Sequence, residues 1–210
     1  MHGLYLVTPN WDDTARLLAC TERALAAGAA LVQYRHKDAS DALRGEQGAA
    51  LLALCRRYQT PLIINDPLAV CLALGADGVH VGGTDMSVAD ARNALGPEKI
   101  VGASCYGDLA LARAAQDAGA SYCAFGGFYP STVKKYTFTT APDIVLQARA
   151  ELALPVVVIG GMTPQNAGPL VERGANMVAA ITSIYMADDP AAAVRAFDSL
   201  FARAGQREPM

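Results

Sequence analysis

Eight apolar, β-branched runs recur along this chain, and a segment of helical spacing rich in alanine and leucine follows each one. The runs are Leu4 to Thr8, Ala30 to Tyr34, Pro61 to Asn65, Gly78 to Val81, Ile100 to Ser104, Tyr122 to Phe125, Pro155 to Ile159 and Met177 to Thr182. The helical segments are Asp13 to Ala27, Ser40 to Tyr58, Pro67 to Leu74, Ser87 to Leu95, Leu109 to Ala118, Ala141 to Leu152, Pro164 to Arg173 and Pro190 to Ala204. Nearly uninterrupted apolar strands suit a parallel sheet covered on both faces. Eight strand-helix units of about 25 residues in a chain of 210 predict a single closed (β/α)8 barrel over 1–204, of α/β class. Residues 205–210 read as a tail. A doubly wound open sheet would need a glycine-rich phosphate fingerprint, which the chain lacks.

The punctuation agrees with this division. Gly28-Ala29, Gly75-Ala76, Gly119-Ala120 and Gly174-Ala175 each stand between a helical segment and the next strand, where a glycine can take the left-handed turn that ends a helix. Ser40, Ser87, Thr163-Pro164 and Asp189-Pro190 are expected to open helices, as caps and first-turn prolines do.

A hydrophobic content of 52% against 18% charged residues is ample for one large core. The net charge of −3 and the lack of a basic run argue against nucleic acid as a partner, so local positive charge must serve a specific site. No apolar stretch approaches the ~20 residues that cross a bilayer, and the first residues do not resemble a signal peptide; a cytoplasmic protein is expected. The five cysteines include no C-x-x-C pair and sit mostly in apolar segments, so reduced, buried thiols are expected. Cys105 adjoins a polar strand end. The sequence leaves a homo-oligomer open.

In a barrel of this kind the loops after the strands build the active site, so the polar residue closing each run is a candidate ligand contact. The second run closes on Gln33, Arg35 and Lys37; side chains two positions apart share a side, which aims a carboxamide and two cations the same way. Such a set suits a polyphosphate. The third run ends in Asn65-Asp66, and His80 and Asp85 follow in the fourth unit. Two carboxylates beside a phosphate cluster would repel the ligand unless a hard cation lay between, so the pair predicts a magnesium diphosphate site. Either carboxylate could instead cap a helix, Asp66 before Pro67 and Asp85 before Ser87. Ser104 adds a hydroxyl, with Gly102 permitting close approach. After the sixth run, a long loop carries Ser131, Thr132, Lys134 and Lys135 and is expected to cover the diphosphate. The seventh and eighth runs end in Gly160-Gly161 and Thr182-Ser183, where free backbone amides suit a second anion, a monophosphate.

Taken in order, these motifs resemble the thiamine phosphate synthase family. The family pattern Q-x-R-x-K stands as Gln33, Arg35 and Lys37, N-D as Asn65-Asp66, H-x-G-x-x-D as His80, Gly82 and Asp85, and G-x-S as Gly102 and Ser104. Gly160-Gly161 and the segment from Ala187 to Pro190 extend the match. The resemblance implies a (β/α)8 enzyme that joins hydroxymethylpyrimidine diphosphate to hydroxyethylthiazole phosphate, with Mg²⁺ as cofactor. It also implies roles. Arg35, Lys37, Asn65, Ser104 and Lys134 would hold the diphosphate, and Asp66 and Asp85 the metal. Tyr5, Gln33 and His80 would surround the pyrimidine, while Gly161 and the backbone at Thr182 and Ser183 would take the thiazole phosphate. Two departures stand out: Val133 replaces a threonine usual in the family loop, and Thr182 a serine. A thiazole tautomerase of the same superfamily, or a barrel that only binds a phosphate ligand, are the alternatives. Retention of Arg35, Lys37, Asn65, Asp66 and Asp85 argues against the tautomerase, which needs neither diphosphate nor metal.

Overall fold

A computed structural model of the chain describes residues 1–83, 85–131, 133 and 137–205. The apolar runs form strands β1 (Gly3–Val7), β2 (Leu31–Tyr34), β3 (Leu62–Asn65), β4 (Gly78–Val81), β5 (Ile100–Tyr106), β6 (Tyr122–Phe125), β7 (Val156–Val158) and β8 (Met177–Ala180). Each pairs in parallel with its sequence neighbour and β8 returns to β1, so the sheet closes as the expected barrel. Around it lie α1 (Thr14–Ala26), α2 (Asp41–Arg57), α3 (Leu68–Leu74), α4 (Val88–Leu95), α5 (Leu109–Asp117), α6 (Ile144–Glu151), α7 (Gly168–Glu172), α8 (Thr182–Tyr185) and α9 (Pro190–Gly205).

The glycine-alanine pairs do what their position suggested. All four glycines have positive φ, and at each the glycine N–H and the alanine N–H return to carbonyls in the last helical turn, as at Gly28 to Leu25 and Ala29 to Ala24. Serines 40 and 87 cap α2 and α4 by accepting from the N–H groups of Leu43 and Asp90.

Because alternate residues of a strand face opposite ways, the apolar strands feed two cores. Outward residues such as Leu6, Val32, Ile64 and Val101 pack under the helices with Leu17, Leu51, Ala112 and Phe197. Inward residues Leu31, Ile63, Tyr122, Val157 and Met177 fill the barrel. Each fully buried aliphatic side chain contributes roughly 1.5–3 kcal/mol. Most of the inward side chains plug the barrel below the level where cavities open at its upper end.

The structure corrects four boundaries that bear on the site. β8 ends at Ala180, and Thr182 opens the short α8 instead of closing a strand. β5 runs past Ser104 to Tyr106 through a bulge that holds Tyr106 at φ +54. Thr163-Pro164 opens a turn, with the Ala167 N–H donating to the Thr163 carbonyl, and α7 starts only at Gly168. α9 includes Gly205; the rest of the expected tail lies outside the described residues.

Candidate active site

The upper end of the barrel carries a buried line of polar side chains. Gln33 on β2 donates from Nε2 to the Tyr5 hydroxyl at 2.6 Å, and Tyr5 Oη lies 2.7 Å from Tyr122 Oη. Tyr122 Oη lies 2.9 Å from His80 Nδ1, and His80 Nε2 lies 2.8 Å from Ser104 Oγ. The Tyr122 ring stands edge-on to Tyr5 and is stacked on His80. Burial pushes both phenols well above their ordinary pKa, so they stay neutral. His80 is thus a hydrogen-bonded part of the floor, buried but shared between two partners.

Two cavities open above this floor and meet at Arg35, Asn65, His80, Ser104 and Val133. The inner one, about 90 Å³, is lined by Tyr5, Gln33 and apolar residues of β7 and β8, then by Gly160, Gly161 and Thr182. The outer one, about 740 Å³, is lined by Arg35, Lys37, Arg44, Asp66, Asp85 and Tyr106 among others. The inner one is mostly apolar, with Arg35 at the junction as its cation; the outer one is wide and carries charges of both signs.

Local structure sets these positions. The Arg35 N–H donates to Thr8 Oγ1 and the Thr8 hydroxyl donates back to the Arg35 carbonyl, which ties the end of β2 to that of β1. Gln33 faces the barrel, while Tyr34 turns outward to donate to Gln47 and His36 is buried 3.4 Å from Asp12. Neither carboxylate caps a helix: α3 has no side-chain cap, and Ser87 caps α4. Asp85 Oδ2 accepts instead from the Gly82 N–H at 2.7 Å, and the neighbouring Gly83 N–H donates to the Tyr106 hydroxyl at 3.0 Å.

Asp66 has its pKa raised, first by burial and then by the charge of Asp85, against the pull of Arg44 and Lys37. The two carboxylates repel each other across a cavity that also holds three cationic side chains. Among the described residues no group of three His, Cys, Asp or Glu is placed to hold a metal. A pair of carboxylates fits Mg²⁺, which takes one or two from a protein and the rest of its ligands from phosphate oxygens and waters.

Of the expected site residues, Tyr5, Gln33, Arg35, Asn65, His80, Ser104, Ser131, Gly161 and Thr182 line the inner cavity, and Lys37, Asp66 and Asp85 the outer. Ser183 lines neither cavity, and its hydroxyl is buried with no partner among the described residues. Thr132, Lys134 and Lys135 lie outside the described residues; Val133 lines both cavities. Three contributors escaped the sequence: Tyr122, Tyr106 and Arg44. Gly102 also takes a different role, since a Cβ there would lie 2.0 Å from Cζ of Tyr122. The glycine makes room for that ring.

A closed eight-stranded parallel barrel with its polar groups gathered at the strand C-termini defines a (β/α)8 enzyme. The chain belongs to the thiamine monophosphate synthase family, whose sequence profile matches residues 4–184. It is 64% identical to the thiamine-phosphate synthase of Janthinobacterium sp. (strain Marseille), with 97% of this chain and 98% of that one covered. The enzyme of the same name from Thiobacillus denitrificans (strain ATCC 25259 / T1) is 50% identical, with 95% of each chain covered. Among solved structures, thiamine phosphate pyrophosphorylase from Pyrococcus furiosus superposes with a TM-score of 0.84 at 29% identity, covering 96% of both chains. A 3-hexulose-6-phosphate synthase from Salmonella typhimurium, at 17% identity and a TM-score of 0.72 over 97% of this chain and 100% of that one, shares the fold alone. The chain is a transferase of thiamine biosynthesis, of the thiamine-phosphate synthase type. No helix among the described residues is long and apolar enough to cross a membrane.

Proposed function

We propose that this enzyme condenses 4-amino-2-methyl-5-hydroxymethylpyrimidine diphosphate with 4-methyl-5-(2-hydroxyethyl)thiazole phosphate, giving thiamine phosphate and diphosphate. The observation that carries this reading is the division of the mouth into a charged outer cavity and a mostly apolar inner one, with Arg35 and Ser104 at the junction. A diphosphate ester of an uncharged aromatic ring has that same division.

In this reading Arg35 and Lys37, joined by Arg44, hold the diphosphate and stabilise the charge that grows on its leaving oxygen. Asn65, Ser104 and Ser131 donate to the same group, Thr132 is a further hydroxyl of the same loop, and Lys134 is added by the resemblance. Tyr5, Gln33 and His80 surround the pyrimidine. Gly161 and the backbone at Thr182 and Ser183 take the thiazole phosphate, since first-turn N–H groups of a helix have no acceptor within it. Asp66 and Asp85 would hold Mg²⁺, which when bound supplies further neutralisation of the leaving group. The carbon–oxygen bond to diphosphate breaks with its electron pair leaving on oxygen, and the pyrimidine stabilises the resulting carbocation. The thiazole nitrogen then donates its lone pair to close the carbon–nitrogen bond. Neither step moves a proton, so the protein needs no strong base or nucleophile. Its contribution is position and charge.

Purified protein supplied with both phosphorylated precursors is expected to form thiamine phosphate with added Mg²⁺ and to stop when the cation is chelated. No product at saturating substrates and Mg²⁺ would refute the proposal.

A further inference from the structure

The hydrogen-bonded line from Gln33 to Ser104 crosses the barrel from β2 to β5, and its protons can be counted. An amide nitrogen only donates, so the Tyr5 oxygen, which accepts from Gln33 Nε2, must send its own proton elsewhere. Its other partner is Tyr122 Oη at 2.7 Å. Tyr122, having accepted that proton, has one of its own and one remaining partner, His80 Nδ1 at 2.9 Å. Nδ1 must then be the bare nitrogen of a neutral imidazole. Nε2 carries the ring proton and donates it to Ser104 Oγ at 2.8 Å. The Ser104 hydroxyl proton is therefore left over, on a residue that lines both cavities.

We infer that Tyr122 is a positioning residue, which fixes the Nε2–H tautomer of His80 and thereby turns the Ser104 hydroxyl into a donor aimed at the ligand. The inference deepens the proposed diphosphate site and rests on it for the identity of the acceptor, an anionic phosphate oxygen. The count needs each phenol to keep one proton, and burial of both rings ensures this. It also needs the Tyr122 ring held in one place. Gly102 supplies that, because the ring fills the space a side chain there would occupy. The opposite direction is all-or-none: a Gln33 turned to accept would reverse every bond in the line and consume the Ser104 proton on His80. A serine so spent would turn lone pairs toward phosphate oxygens, which is why the forward direction suits this site.

The ring nitrogens of His80 report the direction without any substrate. Protein labelled with ¹⁵N-histidine has three histidines, and His80→Asn assigns the relevant pair of signals at mildly alkaline pH. The wild-type enzyme is expected to show a bare Nδ1 and a protonated Nε2. Tyr122→Phe is expected to lose that pattern, whereas Tyr5→Phe keeps it, since Tyr122 still donates to Nδ1. In turnover, Tyr122→Phe is expected to lower kcat by about 10-fold or more with KM for the pyrimidine diphosphate nearly unchanged, because the donor matters most as charge grows on the leaving group. A wild-type His80 protonated at Nδ1, or a Tyr122→Phe spectrum identical to wild type, would overturn the inference even if the enzyme turns over. Absence of product from the wild-type protein would instead remove the proposed reaction, while the spectra still decide the direction of the line.

Discussion

Gly102→Ala adds one carbon atom where a buried ring leaves no room for it. The new Cβ would lie 2.0 Å from Cζ and 2.1 Å from Oη of Tyr122, so the ring must retreat by roughly 1.4 Å to restore a 3.4 Å contact. Tyr122 is fully buried and cannot swing into solvent. A shift of that size takes its hydroxyl out of reach of Tyr5 or His80, now 2.7 and 2.9 Å away. Overpacking costs about 1–3 kcal/mol, and each buried polar group left without its partner about 1–3 more. A loss of about 2–6 kcal/mol is a large part of the 5–15 kcal/mol that typically holds a domain together. With a urea slope of about 1–3 kcal/mol per molar, the unfolding midpoint is expected to fall by at least about 0.7 M. The double variant Gly102→Ala/Tyr122→Ala is expected to be no less stable than Tyr122→Ala alone, because the clash needs both partners. A Gly102→Ala protein with a wild-type midpoint would refute this account of the glycine.

Two further outcomes follow from the same geometry, and a third from the role the resemblance gives Lys134. Burial and Asp85 raise the Asp66 carboxyl above its usual 3.8, so ionising it opposes folding; that cost is absent below the unfolded value and is complete once pH exceeds the folded one. Asp66→Asn is therefore expected to raise the melting temperature at neutral pH, with a gain that vanishes in acid, and to lose turnover; a melting temperature lower than wild type at neutral pH would contradict the repulsion. Tyr106→Phe deletes the hydroxyl that accepts from the Gly83 N–H beside Asp85, and is expected to raise the Mg²⁺ concentration for half-maximal rate at little cost in stability, about 1 kcal/mol. An unchanged Mg²⁺ dependence would show that this bond does not position the carboxylate. Lys134→Ala is expected to slow single turnover; an unchanged rate would move the contact to Lys135 or to neither lysine.

The barrel was legible in the sequence because each signal for it is local. Apolar runs, serine caps and the glycine-alanine turns are each settled within a few residues of chain, and the structure places strands and helices where those signals stand. The misplaced boundaries are at features that carry no period. α8 is four residues long, shorter than a pattern that could identify it, and the bulge in β5 depends on pairing with β6 across 15 or more residues of sequence.

The candidate site was legible wherever a strand ended in residues of unlike character. At the end of β2 the polar Gln33 and Arg35 alternate with Tyr34 and His36, so the side that faces the inner cavity can be named from the chain alone. In β6 it cannot. Tyr122, Cys123, Ala124 and Phe125 are apolar or aromatic on both sides, as a strand buried on both faces must be, and periodicity then says that the residues alternate without saying which pair faces inward. The missing fact was held one strand away. Gly102, paired with Tyr122 in the register of β5 and β6, has no side chain to occupy the interior at that level, so the large neighbour must fill it. Cys105 is the converse case. It was marked for adjoining a polar strand end, yet it packs outward with Ala103 in the helix-facing core, and burial pushes its thiol up to about 12. A glycine that reads as an opening for the ligand, beside an aromatic residue that reads as core, is thus one structural device. The glycine lets the phenol reach across the barrel, and the phenol joins Tyr5 to the His80–Ser104 pair.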